Sequence, residues 1–294
     1  WTVVFFVVAA ASPLTGIVGA MPLNFMLGNG AGVPGSFIVA AALLIVFSFG
    51  FIAMSKYVVN AGAFYTYIVQ GLGVGAGISG LTIAMLAYTA IQLSVTAMFG
   101  FFTEHLMLST FGVGISWWVY ALIMQVVVTL LGIAKVEIGG KVLGILMLLE
   151  VGIVLLIDIA IFQPPVTIEF SSFQPSTIFT SNFCISMVFA ICSFIGFEAA
   201  AIYSEECVNP QKVVSKATFI AVSMIALFFV FSTWSFVLYS TSSQVIAIAT
   251  KDPGMYVYNV ATAVLGSWSV DVISVLLLTS LFAATQAFHN SLAR

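Results

Sequence analysis

Residues 10–22 read Ala10-Ala11-Ser12-Pro13-Leu14-Thr15-Gly16-Ile17-Val18-Gly19-Ala20-Met21-Pro22. They sit inside an apolar run that starts at Trp1 and reaches Leu27. Two prolines and two glycines within this stretch work against an unbroken helix. An interior proline loses a backbone hydrogen bond and clashes with the turn before it, at a cost of about 3 kcal/mol. In lipid no water repairs that loss, so such a break must face protein or a cavity.

Composition says that lipid is the solvent. Of 294 residues, 62% are hydrophobic and only 6% are charged, against about 25% charged in soluble domains. The mean hydropathy is +1.22. Seven Lys and Arg with ten Asp and Glu cannot keep a soluble chain of this size in solution. This excludes a soluble domain, a disordered tail and a nucleic-acid binder, and leaves an integral membrane protein with many spans. Cys184, Cys192 and Cys207 show no CxxC spacing, which argues against a disulfide framework or a zinc site. With only His105 and His289, a histidine metal site is not expected, and neither is any cofactor. No Asn-x-Ser/Thr acceptor marks an outer loop. The chain opens at Trp1 without a signal-peptide pattern and stops abruptly at Arg294. It reads as an excerpt of a longer protein, one not expected to transport by itself.

A spanning helix needs about 20 mostly apolar residues. Eight stretches meet that length by hydropathy: about 1–27, 33–55, 74–102, 115–134, 140–162, 183–204, 217–239 and 269–289. They are long and apolar all round rather than short and alternating, so they are helices and not barrel strands. With the first span starting inside, the inner segments carry Lys56, Lys135, Lys141, Lys212, Lys216 and Arg294, and the outer ones only Lys251. That asymmetry orients the chain with both ends cytoplasmic. The outer loops are expected to hold Glu104, Glu169 and Asp252. Residues 57–70 read as a short inner helix and residues 241–265 as an outer cap. Gly75-Ala76-Gly77-Ile78-Ser79-Gly80 matches GxGxxG, but a dinucleotide site needs a preceding strand and a following acid. Close packing of a neighbouring helix explains the small residues better.

The sixth span breaks too, at Cys192-Ser193-Phe194-Ile195-Gly196-Phe197-Glu198. It holds a glycine, a hydroxyl and a carboxylate at mid-span, and such a carboxylate is expected to face the bundle interior. Breaks in spans one and six are five helices apart, which inverts the second unit against the first. Inverted repeats with paired discontinuous helices define one large transporter architecture. There, half-helix N-termini present N–H groups to an anion and unwound carbonyls accept from a cation. A zwitterionic amino acid suits both.

The run Ser193-Phe194-Ile195-Gly196-Phe197-Glu198, then Tyr203-Ser204-Glu205-Glu206, Asn209-Pro210, Lys212 and Lys216, resembles the signature of the amino acid–polyamine–organocation transporter superfamily. Asn60-Ala61-Gly62-Ala63-Phe64-Tyr65-Thr66-Tyr67 is similar to its inner loop, and Phe288-His289-Asn290-Ser291-Leu292-Ala293-Arg294 to the end of its eighth helix. The resemblance implies an all-α, leucine-transporter-like five-plus-five inverted repeat. The excerpt would be a single transmembrane domain (1–294), with the first repeat at about 1–162 and part of the second at about 183–294. It also implies a plasma-membrane permease in which a substrate carboxylate meets Leu14, Thr15, Gly16 and Ile17. The amino group would meet Ser193, Phe194 and Ile195 beside Gly196. The span-one motif here departs from the family's usual GSG type. Phe194 would cover the substrate or simply pack. Tyr88 and Gln92, one turn apart on span three, are candidates to line the cavity.

Glu150, Asp158 and Glu198 lie at membrane depth. A carboxyl group there can load and release a proton. Asp158 is close enough to the outer end to reach headgroups. Glu198 matches a span-six carboxylate tied to proton sensing in some relatives, or else caps the inner half-helix. Glu150 falls where several proton-coupled relatives carry a lysine in place of sodium. It would then be the protonated group itself or help to hold a cation. Thr279-Ser280 is the candidate sodium site, since hard cations favour oxygen ligands; back-bonding to their own helix is the plain alternative. The expected function is secondary active transport of an amino acid or related amine by alternating access. Proton-coupled symport or exchange stands ahead of sodium coupling. A channel would need a filter or charge ring that is not evident, and an enzyme a constellation such as HExxH, which is absent.

Overall fold

The structure is a computed structural model, and it describes residues 11–55, 57, 63–134, 140–164, 166–197 and 210–293. Among the described residues there are helices and connections but no strand. In chain order the main helices are α1 (Pro13–Leu27), α2 (Val33–Ser55), α3 (Ala63–Leu72), α4 (Val74–Phe111), α5 (Trp117–Ile133), α6 (Gly140–Ile161) and α7 (Phe183–Cys192). They continue as α8 (Pro210–Ser240), α9 (Val245–Lys251), α10 (Tyr256–Leu265) and α11 (Trp268–Ala293). Each of the eight stretches expected to span overlaps one of these helices. Segments within α2, α4, α6, α8 and α11 are long and apolar enough to cross a membrane.

Two expected boundaries change. The third span does not stop near 102 but runs to Phe111, where Gly112 turns left-handed at φ 68°. The Gly112 and Val113 N–H groups then bond back to Leu108 and Met107, which closes the helix end. Glu104 is therefore on α4 and not in an outer loop. Its Oε2 accepts the Trp117 N–H at 2.9 Å, satisfying one free donor at the start of α5. The seventh span starts as a helix at Pro210, ahead of the expected 217. The sixth breaks after Cys192 where a break was expected, and its residues from Glu198 on lie outside the described ones.

Each of the first three spans packs against the span five places later: α1 on α7, α2 on α8, and α4 on α11. That pairing is what a two-fold axis in the membrane plane produces when it relates two inverted units. α6 lies against α8 and α11 and touches the start of α1. The outward faces of α2 and α4 expose Val46, Phe49, Ile83, Leu86 and Leu93. Surface of that kind fits against lipid tails.

Glycine decides where helices approach. A Cβ on Gly77 would fall 2.2 Å from Val69 Cγ2, and one on Gly80 would fall 2.7 Å from Ile68 Cδ1. The GxGxxG stretch is thus the seam between α3 and α4. The short helix expected within 57–70 is α3, and the segment expected over 241–265 as a cap holds α9 and α10. Tyr256 anchors that cap: its hydroxyl lies 2.7 Å from Ser240 Oγ, and its ring meets Phe25 edge-on at 6.0 Å.

Candidate functional site: the paired helix breaks and the Glu150 cluster

The start of the described helix in span one has a cause that the sequence already contains. A residue before proline is kept out of the right-handed helical region, and Ser12 sits left-handed at φ 44° and ψ 67°. α1 therefore starts at Pro13. The second proline does not end it. Gly16–Ala20 widens into a π turn, with the Met21 N–H bonding to the Gly16 carbonyl. This extra residue per turn relieves the conflict between Pro22 and the carbonyls before it. The described segment is thus a helix start followed by a wide turn, not an unwound strand.

In span six, α7 ends at Cys192 and gives way to tight turns. Phe194 N–H bonds to the Ile191 carbonyl at 3.0 Å, and Ile195 N–H to Cys192 at 3.1 Å. Gly196 at φ 112° allows the chain to change direction. The Ser193 hydroxyl bonds back to Phe189 at 2.9 Å.

Between the breaks is an aromatic wall. Phe194 is fully buried, its ring 6.3 Å from Phe37, which stacks on Phe229 at 5.0 Å. Gly16 faces Phe229 so closely that a Cβ would come 2.6 Å from Cζ. Phe37 and Phe229 were missed from sequence, because nothing separates them from the other phenylalanines of the chain.

Beside the wall, three spans meet at Glu150. Its Oε2 accepts the Ser280 hydroxyl at 2.8 Å. The carboxylate also accepts from the Leu14 backbone at the start of α1. Thr15 Oγ1 donates to Ser280 Oγ at 3.3 Å. Glu150 is only 5% exposed. An anion at a helix N-terminus is favourably placed, since unpaired N–H groups and the helix dipole both point at it. Leu14, Thr15, Glu150 and Ser280 are thus brought together. Thr279 is not: its hydroxyl bonds to Leu276 of its own helix at 2.8 Å, and the residue lines a separate apolar cavity with Phe99 and Leu146.

Tyr88 and Gln92 point elsewhere. The Tyr88 ring is 6.1 Å from Phe288, which lies about 12 Å from Ser280 toward the C-terminal end of α11 at 1.5 Å per residue. Gln92 Nε2 donates to Gln125 Oε1 at 3.2 Å, on α5. A further apolar cavity opens beside the π turn, lined by Val18, Gly19, Met98, Phe102, Trp117 and Gly254.

Asp158 corrects an expectation. It does not reach headgroups but is fully buried against α8, bonded to Ser232 and Ser235. A residue count places it near the end of α6; only packing shows that α8 covers it. Glu198, Glu205, Glu206 and Tyr203 lie outside the described residues.

A model of the amino acid permease family matches residues 3–291. The chain belongs to that family: it is a membrane-embedded amino acid transporter of the leucine-transporter-like fold. None of the curated proteins compared with it matches.

Proposed function

We propose that the protein is a secondary active transporter. It moves an amino acid or related amine by alternating access, through proton-coupled symport or exchange. The observation that carries this is the Glu150 carboxylate, shared between the N-terminal backbone of α1 and Ser280 of α11. A group held by both elements changes its hold on each when it takes up a proton, which is what coupling requires. Leu14, Thr15, Gly16 and Ile17 would receive the substrate carboxylate. Ser193, Phe194, Ile195 and Gly196 would receive the amino group, with Tyr88 further inward. Glu198 is the second coupling candidate. The chain is one transporter domain, its first repeat over about residues 1–162 and its second from about 183. The asymmetry of the lysines supports a cytoplasmic N-terminal side, in a plasma membrane.

A second reading is sodium coupling. The clustering of Thr15, Ser280 and Glu150 oxygens supports it, because hard cations take such ligands. Uptake of radiolabelled amino acids and amines by the full-length protein in proteoliposomes separates the two. An inward acid gradient should drive accumulation under the first reading, and a sodium gradient under the second. Accumulation driven by neither gradient, for every substrate tried, would refute both.

A further inference from the structure

Asp158 lies on α6 about 12 Å outward from Glu150 by helix rise and takes no part in the Glu150 cluster. Its side chain is fully buried. Ser232 Oγ donates to Asp158 Oδ2 at 2.7 Å. Ser235 Oγ contacts Asp158 Oδ1 and also lies 2.8 Å from the Ser232 carbonyl oxygen. Above this pair, Phe162 stacks on Phe231 at 5.3 Å and meets Trp234 at 5.4 Å. The outer end of the α6–α8 seam is closed by aromatic rings.

Counting hydrogens decides the protonation of this cluster. A serine hydroxyl carries one hydrogen, and a carbonyl oxygen carries none. Three close oxygen–oxygen contacts are each fully served only by three hydrogens, and the two serines supply two; one hydroxyl hydrogen shared between two acceptors serves both weakly. With Asp158 ionised, the Ser235 hydrogen serves the carboxylate or the Ser232 carbonyl, or both weakly. A contact left without it is a pair of bare oxygens, which repel. With Asp158 protonated, every contact has its hydrogen. Asp158 donates to Ser235, Ser235 to the Ser232 carbonyl, and Ser232 back to Asp158. The Glu150 cluster counts differently. Thr15, Ser280 and the Leu14 N–H each bring their own hydrogen, so that carboxylate is complete when ionised.

Other ionisable groups do not change the count. α8, α10 and α11 pack on this helix and bring Tyr239, Tyr256, Tyr258 and Asp271 in their outer halves. Tyr256 bonds to Ser240 and Tyr258 to Ser274. Asp271 is exposed. No described cation pairs with Asp158. A buried carboxylate without a cation is costly, whereas its neutral acid is not.

We propose that Asp158 is a second proton-binding site, loaded in this conformation, and that its proton completes the hydrogen-bonded latch between α6 and α8. Infrared spectra of the full chain in lipid vesicles at neutral pH test this. The carbonyl stretch of a protonated carboxylic acid should be present, should vanish in Asp158→Asn, and should persist in Glu150→Gln. Asp158→Asn keeps the neutral shape, with its amide N–H₂ donating to Ser235 as the acid would. Ser235→Ala removes the acceptor of the Asp158 proton, so it should shift the same band; this second variant decides the matter if Asp158→Asn does not accumulate. Loss of ionised-carboxylate bands in Asp158→Asn, or a protonated band indifferent to both substitutions, would overturn the proposal. These spectra read protonation without transport, so their failure leaves the permease reading intact.

Discussion

Ser280 donates its hydroxyl to Glu150 across 2.8 Å and 130 residues of chain. That bond ties the eighth span to the fifth at the point where α1 begins. Any movement of α6 against α11 must break it or carry it along, and any movement of α1 must release the Leu14 and Thr15 bonds to the same pair, which makes it the natural place to read coupling.

Replacing Glu150 by Gln should reduce gradient-driven uptake at least about tenfold, equivalent to about 1.4 kcal/mol of lost coupling. The sign of the pH effect follows from the role. If Glu150 carries the coupled proton, wild-type uptake rises as the outside is acidified and the uncharged variant flattens that rise. Uptake measured with imposed pH gradients, then with sodium gradients, reads this directly. Retained pH dependence with lost sodium dependence would select the sodium reading.

Ser280→Ala and Thr279→Ala should differ sharply although the residues are neighbours. The first removes a donor from a buried carboxylate, at about 1–3 kcal/mol. The second removes only a bond within its own helix and should stay within about 0.5 kcal/mol. Thermal unfolding in detergent, with uptake alongside, compares them; equal effects would argue against a special role for Ser280.

Gly16→Ala should destabilise the protein by about 1–3 kcal/mol, because its Cβ would fall 2.6 Å from the Phe229 ring. Phe229→Leu in the same chain should restore part of the loss. A melting temperature that stays depressed in the double variant would mean that the glycine matters for backbone freedom rather than for space.

Gly196→Ala should cost about 1–2 kcal/mol, since an L side chain is strained at a left-handed φ, here 112°. The measurement is again thermal unfolding, and uptake should fall in parallel if the turn shapes the site.

Glu198→Gln should alter the pH dependence of uptake. An unchanged profile would take Glu198 out of the coupling mechanism and leave that role to Glu150.

Much of the architecture was legible in one dimension. Helices that lipid surrounds must be long and apolar all round, so their number and order stand out from hydropathy. The Ser12-Pro13 break is also local, because a proline restricts the residue before it whatever the rest of the chain does. The repeat could be inferred from the spacing of two such breaks. The site could not be completed that way. Glu150 and Ser280 are visible as polar residues in apolar spans, but only packing shows that they bond, and that Thr279 turns away. Asp158 looked like an interfacial acid until α8 was seen to cover it with Ser232 and Ser235. Backbone preferences and solvent matching act on neighbours in sequence, so the chain alone determined the spans and their breaks. Which side chain meets which depends on how the helices rotate and lean against one another, and the tertiary structure decided that.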